Sequence, residues 1–116
     1  MLMENTLLGA FASHSDAHDL KSRLEWGQPG FTIVDVRDRR TFNQGHISGA
    51  IPIPLNDLTK RASSLVKSRD IYIYGESDEQ SANAAQTLRE AGFAHVSTLT
   101  GGLAAWQAAG GAVEGV

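Results

Sequence analysis

Few residues in this chain combine a reactive type with a useful spacing. Cysteine is absent from all 116 positions, so thiolate nucleophiles, cysteine-containing zinc sites and iron–sulfur clusters are excluded together. The remaining candidates gather in one stretch, Gly75-Glu76-Ser77-Asp78-Glu79-Gln80-Ser81, with three carboxylates and two hydroxyls. Gly75-Glu76-Ser77 is half of the G-x-S-x-G elbow of serine hydrolases, but Glu79 stands where the second glycine belongs. His95 is the one histidine downstream of that serine, and little chain remains to supply the rest of a triad. The simpler reading is a helix start, with Ser77 or Asp78 as N-cap and Glu79 favoured by the helix dipole. Glu76, Asp78 and Glu79 would also form an acidic knob able to steer a basic partner surface.

The other polar residues read as structural. Asp35 and Arg37 flank Val36 at the end of an apolar run and suit an ion-pair or hydrogen-bond bracket for neighbouring loops. His46, between Gly45 and Ile47, is placed to tie down a turn by bonding backbone groups. No partner lies at metal-ligand spacing from it, so no metal site is expected. His14 and His18 are four apart and would share a helical face if a helix began early, without a third ligand. Trp106 with Leu103 reads as a core plug, because no basic residue flanks it.

These residues need elements to position them. Ser15-Asp16-Ala17-His18 is a helix-start signal, and Ala17, Leu20 and Leu24 recur at helical spacing until Gly27, Pro29 and Gly30. Phe31 to Val36 is nearly continuous in apolar character, as in a strand covered on both faces. Ala50 to Pro54 holds only a short strand, confined to an edge by its prolines. A polar helix is expected over Asn56 to Leu65, then a buried strand, Ile71-Tyr72-Ile73-Tyr74, running into the Gly75 loop. Beyond the loop, Ala82, Ala85 and Leu88 suggest one helical face with Ala84 and Ala91 beside it, ended by Gly92. His95 to Leu99 is a further strand, and a last helix opens at Gly101-Gly102 and closes at Gly110-Gly111. Strands alternating with helices through short connections imply a parallel sheet with helices on both faces, an α/β fold.

The length suits one domain over residues 1–116, with 1–12 as a lead-in. A hydrophobic fraction of 41% is normal for a globular core. Net charge is −3 with scattered basic residues, which argues against a nucleic-acid partner. Met1-Leu2-Met3-Glu4-Asn5 lacks a secretory pattern and no apolar run reaches spanning length, so a cytoplasmic location away from membranes is the default. No cofactor motif occurs.

Four segments together resemble the rhodanese-like family. They are Val34-Asp35-Val36-Arg37, Phe42-x-x-Gly45-His46-Ile47-x-Gly49-Ala50-Ile51-x-Ile53-Pro54, Ile71-Tyr72-Ile73-Tyr74, and Gly101-Gly102-x-x-x-Trp106. The resemblance implies a sheet of about five mostly parallel strands flanked by helices, with the loop after Tyr74 as the family's active site. Active members carry there a C-x-x-G-x-R-S pattern whose cysteine accepts sulfur as a persulfide. Here Gly75 stands at the cysteine, Asp78 at the glycine and Gln80 at the basic residue, and only Ser81 is kept. Each nearby carboxylate would repel a docking anion by roughly 1–3 kcal/mol at about 5 Å. The expectation is a catalytically inactive rhodanese-like module that binds an unidentified protein partner or small ligand. The alternatives are an enzyme of another class using the 75–81 loop, or sulfur-compound binding without transfer.

Overall fold

The computed structural model describes residues 11–115. Most of the 1–12 lead-in, and the terminal segment read for targeting, therefore lie outside the described residues. In chain order the elements are β1 (His14–Ser15), α1 (Ala17–Glu25), β2 (Phe31–Asp35), α2 (Arg39–Gln44), β3 (His46–Ile47), β4 (Ile51–Pro52), α3 (Leu58–Arg61), β5 (Asp70–Tyr74), α4 (Asp78–Glu90), β6 (Val96–Leu99), α5 (Gly102–Ala108) and β7 (Val113–Glu114).

Side-chain alternation on the two central strands divides the core. Ile71 and Ile73 of β5 face one side with Val34 and Val36, while Tyr72 and Tyr74 face the other with Ile33. Each face then needs a cover. Leu58 at the start of α3 and Ala84, Ala85 and Leu88 of α4 close the first. Ala17 and Leu20 of α1 and Trp106 of α5 close the second. The five-stranded sheet has the order β1-β6-β5-β2-β4, and every pairing in it is parallel. β4 lies at one edge, where the missing N–H of Pro52 costs no ladder bond. β3 and β7 form a separate antiparallel pair.

Helix ends follow from local chemistry. Asp16 and Asp19 make a reciprocal capping box at the start of α1. After α4, Gly92 takes a left-handed backbone (φ 97°) of the kind glycine adopts at helix ends.

Several expectations are corrected. His14 belongs to β1, where its Nδ1 lies 2.8 Å from Thr98 Oγ1, so it shares no helical face with His18. The expected helix over Asn56 to Leu65 is three short pieces, with 3₁₀ turns at Leu55–Asp57 and Ala62–Ser64 on either side of α3. Ser64 Oγ donates to the Arg61 carbonyl at 2.7 Å, giving that backbone group a partner outside the α-helical ladder. Nor is the stretch polar throughout, since Leu58, Ala62 and Leu65 are buried. On α4 the buried face is Ser81, Ala84, Ala85 and Leu88, whereas Ala82 and Ala91 are exposed. Alanine favours helix without specifying a face, which is why periodicity misassigned them. β6 begins at Val96, leaving His95 outside it.

Candidate functional site

β2 and β5 are adjacent, yet the chain leaves β2 toward β4 and leaves β5 toward β6 on the opposite side. Such a reversal opens a crevice beyond the carboxyl ends of the two strands, the usual ligand position in open α/β sheets. A hollow of about 190 Å³ lies there. Val36 and Asp38 line it from the end of β2, Pro54, Leu55 and Asn56 from the segment after β4, and Glu76 and Gln80 from the segment after β5. Only the last two belong to the 75–81 stretch read from the sequence as the candidate site. The others come from segments that sheet order alone brings together.

The 75–81 stretch is a loop only over its first three residues, because Asp78 to Ser81 already form the first turn of α4. Ser77 is the N-cap, its Oγ accepting the Gln80 N–H at 3.1 Å. Ser81 is buried and its Oγ donates to the Ser77 carbonyl at 3.0 Å. Asp78 turns across to α5, where its Oδ1 accepts the Gly101 N–H at 2.9 Å. That donor belongs to a left-handed glycine (φ 79°), a conformation most side chains avoid. The acidic knob read from sequence is thus smaller, because one of its carboxylates holds two helix starts together.

Gln80 changes the character of the crevice most. Its Oε1 accepts the Glu76 N–H at 2.7 Å, so an inward-facing donor of the loop already has a partner. The same carboxamide fills the space beside Gly75. A β-carbon at position 75 would fall on Gln80 Oε1 and lie 3.1 Å from Val36 Cγ2. Gly75 has no left-handed φ, so neighbours rather than backbone strain restrict a side chain there.

Ser77 has no access to a histidine. His95 sits beside Asp70 at the start of β5, 3.9 Å from its carboxylate, whereas Ser77 follows the other end of that strand. A five-residue strand separates them by about 15 Å. The triad geometry is absent among the described residues, as are clusters able to hold a metal ion.

Behind the crevice is a buried polar bracket. Asp35 is fully buried and receives Arg37 Nη2 at 2.7 Å and Arg37 Nε at 3.0 Å. Arg37 Nη2 also donates to the Gly45 carbonyl at 2.7 Å. Tyr74 OH accepts the Ile47 N–H at 3.0 Å, and burial, then the neighbouring Asp35 carboxylate, push its phenol far above the ordinary range. At the rim, Asp38 N-caps α2 by accepting the Thr41 N–H at 2.8 Å, which with Arg40 holds its carboxyl below the usual value. His46 Nδ1 lies 2.8 Å from the Phe42 carbonyl and its ring stacks on Phe42. Gly49 takes a left-handed φ of 88°. Trp106 is buried on Gly111 and donates Nε1–H to the Ala112 carbonyl at 2.8 Å, with Gly102 buried at the start of the same helix.

No described helix is long and apolar enough to cross a membrane. The rhodanese-like domain family model matches residues 16–109. Among curated proteins, YqhL of Bacillus subtilis is 38% identical over 64% of this chain, which spans 59% of that protein's length. GlpE of Shewanella oneidensis, named a thiosulfate sulfurtransferase, is 39% identical over 66% of this chain and 76% of its own length. The solution structure of the rhodanese-like domain of Alr3790 from Anabaena superposes with a TM-score of 0.87 at 64% identity, covering 91% of this chain and 81% of that one. With the sheet order, the crevice and these similarities in agreement, the chain belongs to the rhodanese-like domain family.

Proposed function

We propose that this chain is a non-enzymatic member of its family, a module that binds a protein partner or small ligand at the crevice beyond β2 and β5. One observation carries the reading. The position from which a persulfide-forming side chain would project is Gly75, and the carboxamide of Gln80 occupies the space that side chain would need. Sulfur transfer by the family route requires a thiolate that attacks the donor, holds the sulfur and releases it to an acceptor. Glycine supplies no nucleophilic atom, and Ser77 Oγ is engaged as a helix cap.

Thiocyanate formation from thiosulfate and cyanide tests this directly. The purified chain should show no turnover above buffer, with Shewanella GlpE as the positive control. Steady turnover by the wild-type chain would overturn the reading.

A further inference from the structure

The groups around the crevice differ in whether they still have bonding capacity to offer. The Glu76 N–H, which would hold an anion, is taken by Gln80 Oε1. Two carboxylates, Asp38 and Glu76, line the hollow from the ends of different strands, and Asn56 adds a carboxamide. Pro54 and Leu55, both half-buried, supply its aliphatic surface, with Val36 buried at its floor. Among the described residues, no basic side chain lines the hollow. Arg37, next to Val36 in sequence, spends its hydrogen bonds on Asp35 and Gly45, and its charge reaches Glu76 from behind the lining. Arg40 acts on Asp38 from outside the lining.

Size narrows the choice of ligand. Small-molecule and cofactor sites usually enclose roughly 300–1,000 Å³, and this hollow of about 190 Å³ falls below that range. It matches one side chain inserted from a partner. A cationic head on an aliphatic stem would place its methylenes on Pro54 and Leu55 and its charge near Asp38 and Glu76, as long basic side chains do at half-apolar surfaces.

We infer that the crevice receives a lysine or arginine side chain of a partner protein, with Asp38 and Glu76 as its charge partners and Gln80 closing it to anions. The inference rests on the non-enzymatic reading above and assigns that reading's ligand. It reverses the charge preference that the family resemblance implies for this loop.

The test uses the full chain, isotope-labelled, and an acetylated tripeptide amide, Gly-Lys-Gly, followed by amide chemical shifts. A second tripeptide with norleucine in place of lysine keeps the stem and removes the charge. The lysine peptide should shift the amides of Glu76 and Asn56 in a saturable way, weakened by added salt, while the norleucine peptide leaves them in place. The double variant Asp38→Asn/Glu76→Gln should weaken lysine binding at least five-fold. It should also fold, because asparagine is a good N-cap and Glu76 is exposed. Equal shifts from both peptides, unchanged binding by the double variant, or no shift at tens of millimolar lysine peptide would overturn the inference. Thiosulfate turnover by the wild type would sink the non-enzymatic reading instead. Absent turnover with absent lysine binding sinks only the charge assignment.

Discussion

At position 75 the side chain that is missing and the side chain that replaces it have to be considered together. A cysteine introduced there must displace the Gln80 carboxamide, which then loses its bond to the Glu76 N–H. One such hydrogen bond contributes about 0.5–1.5 kcal/mol, and its acceptor sits at the end of a flexible side chain. Gly75→Cys is therefore expected to fold with slightly lower stability and to hold its thiol crowded against Gln80. Gly75→Cys/Gln80→Ala should react with iodoacetamide several-fold faster, followed as alkylation rate at neutral pH. Equal rates in the two variants would show that Gln80 does not occupy the space. Sulfur transfer should remain poor in both, because Glu76 and Glu79 stay at the loop. Removing charge through Asp78→Gly is a worse route than sequence suggests, since it also breaks the bond to Gly101.

Ser77 makes the crevice depend on a helix start. Its cap fixes where α4 begins and therefore where Gln80 projects. Ser77→Ala should cost about 1 kcal/mol, the usual penalty for losing an N-cap, read as a lower urea midpoint. Ser77→Asp should restore most of it. If the alanine variant were as stable as wild type, the cap would not be holding the loop. At this scale the sequence was legible where a pattern runs through several turns or a full strand. The apolar run over β2 and the alternation of Ile71, Tyr72, Ile73 and Tyr74 marked two strands that pair along their whole length. β1, β3 and β7 have two residues each, too few for any period, and are defined only by the strands they pair with. The broken 55–64 stretch combines helical spacing of Leu58 and Ala62 with a serine that bonds backbone, and spacing alone does not register that competition.

Across the molecule, the Asp35–Arg37 pair and Tyr74 bind β2 and β5 to the segment carrying Gly45 and Ile47. Asp35→Ala would leave the Arg37 guanidinium buried without its partner. Breaking a buried pair this way costs about 3–5 kcal/mol, visible as a large fall in denaturant midpoint. Asp35→Leu/Arg37→Met should cost less than the single change, because no lone charge is left inside. A double variant as unstable as Asp35→Ala would mean that the bracket acts through the Gly45 bond rather than through charge. The pairing of Asp35 with Arg37 was readable from two residues two positions apart, but the part played by Tyr74 was not. Its hydroxyl meets Ile47, 27 positions away, only because the fold stacks β3 against that face. The crevice lining was hidden for the same reason, since Asp38 and Asn56 meet Glu76 through sheet order alone. The contrast between Trp106, 2% exposed, and Trp26, 81% exposed, gives the chain two optical reporters of opposite kind. Soluble quenchers reach Trp26 first and leave the emission of Trp106 as a record of whether the packing around α5 is intact. Loss of the fold can thus be followed by light alone, separately from events at the crevice, where neither indole lies.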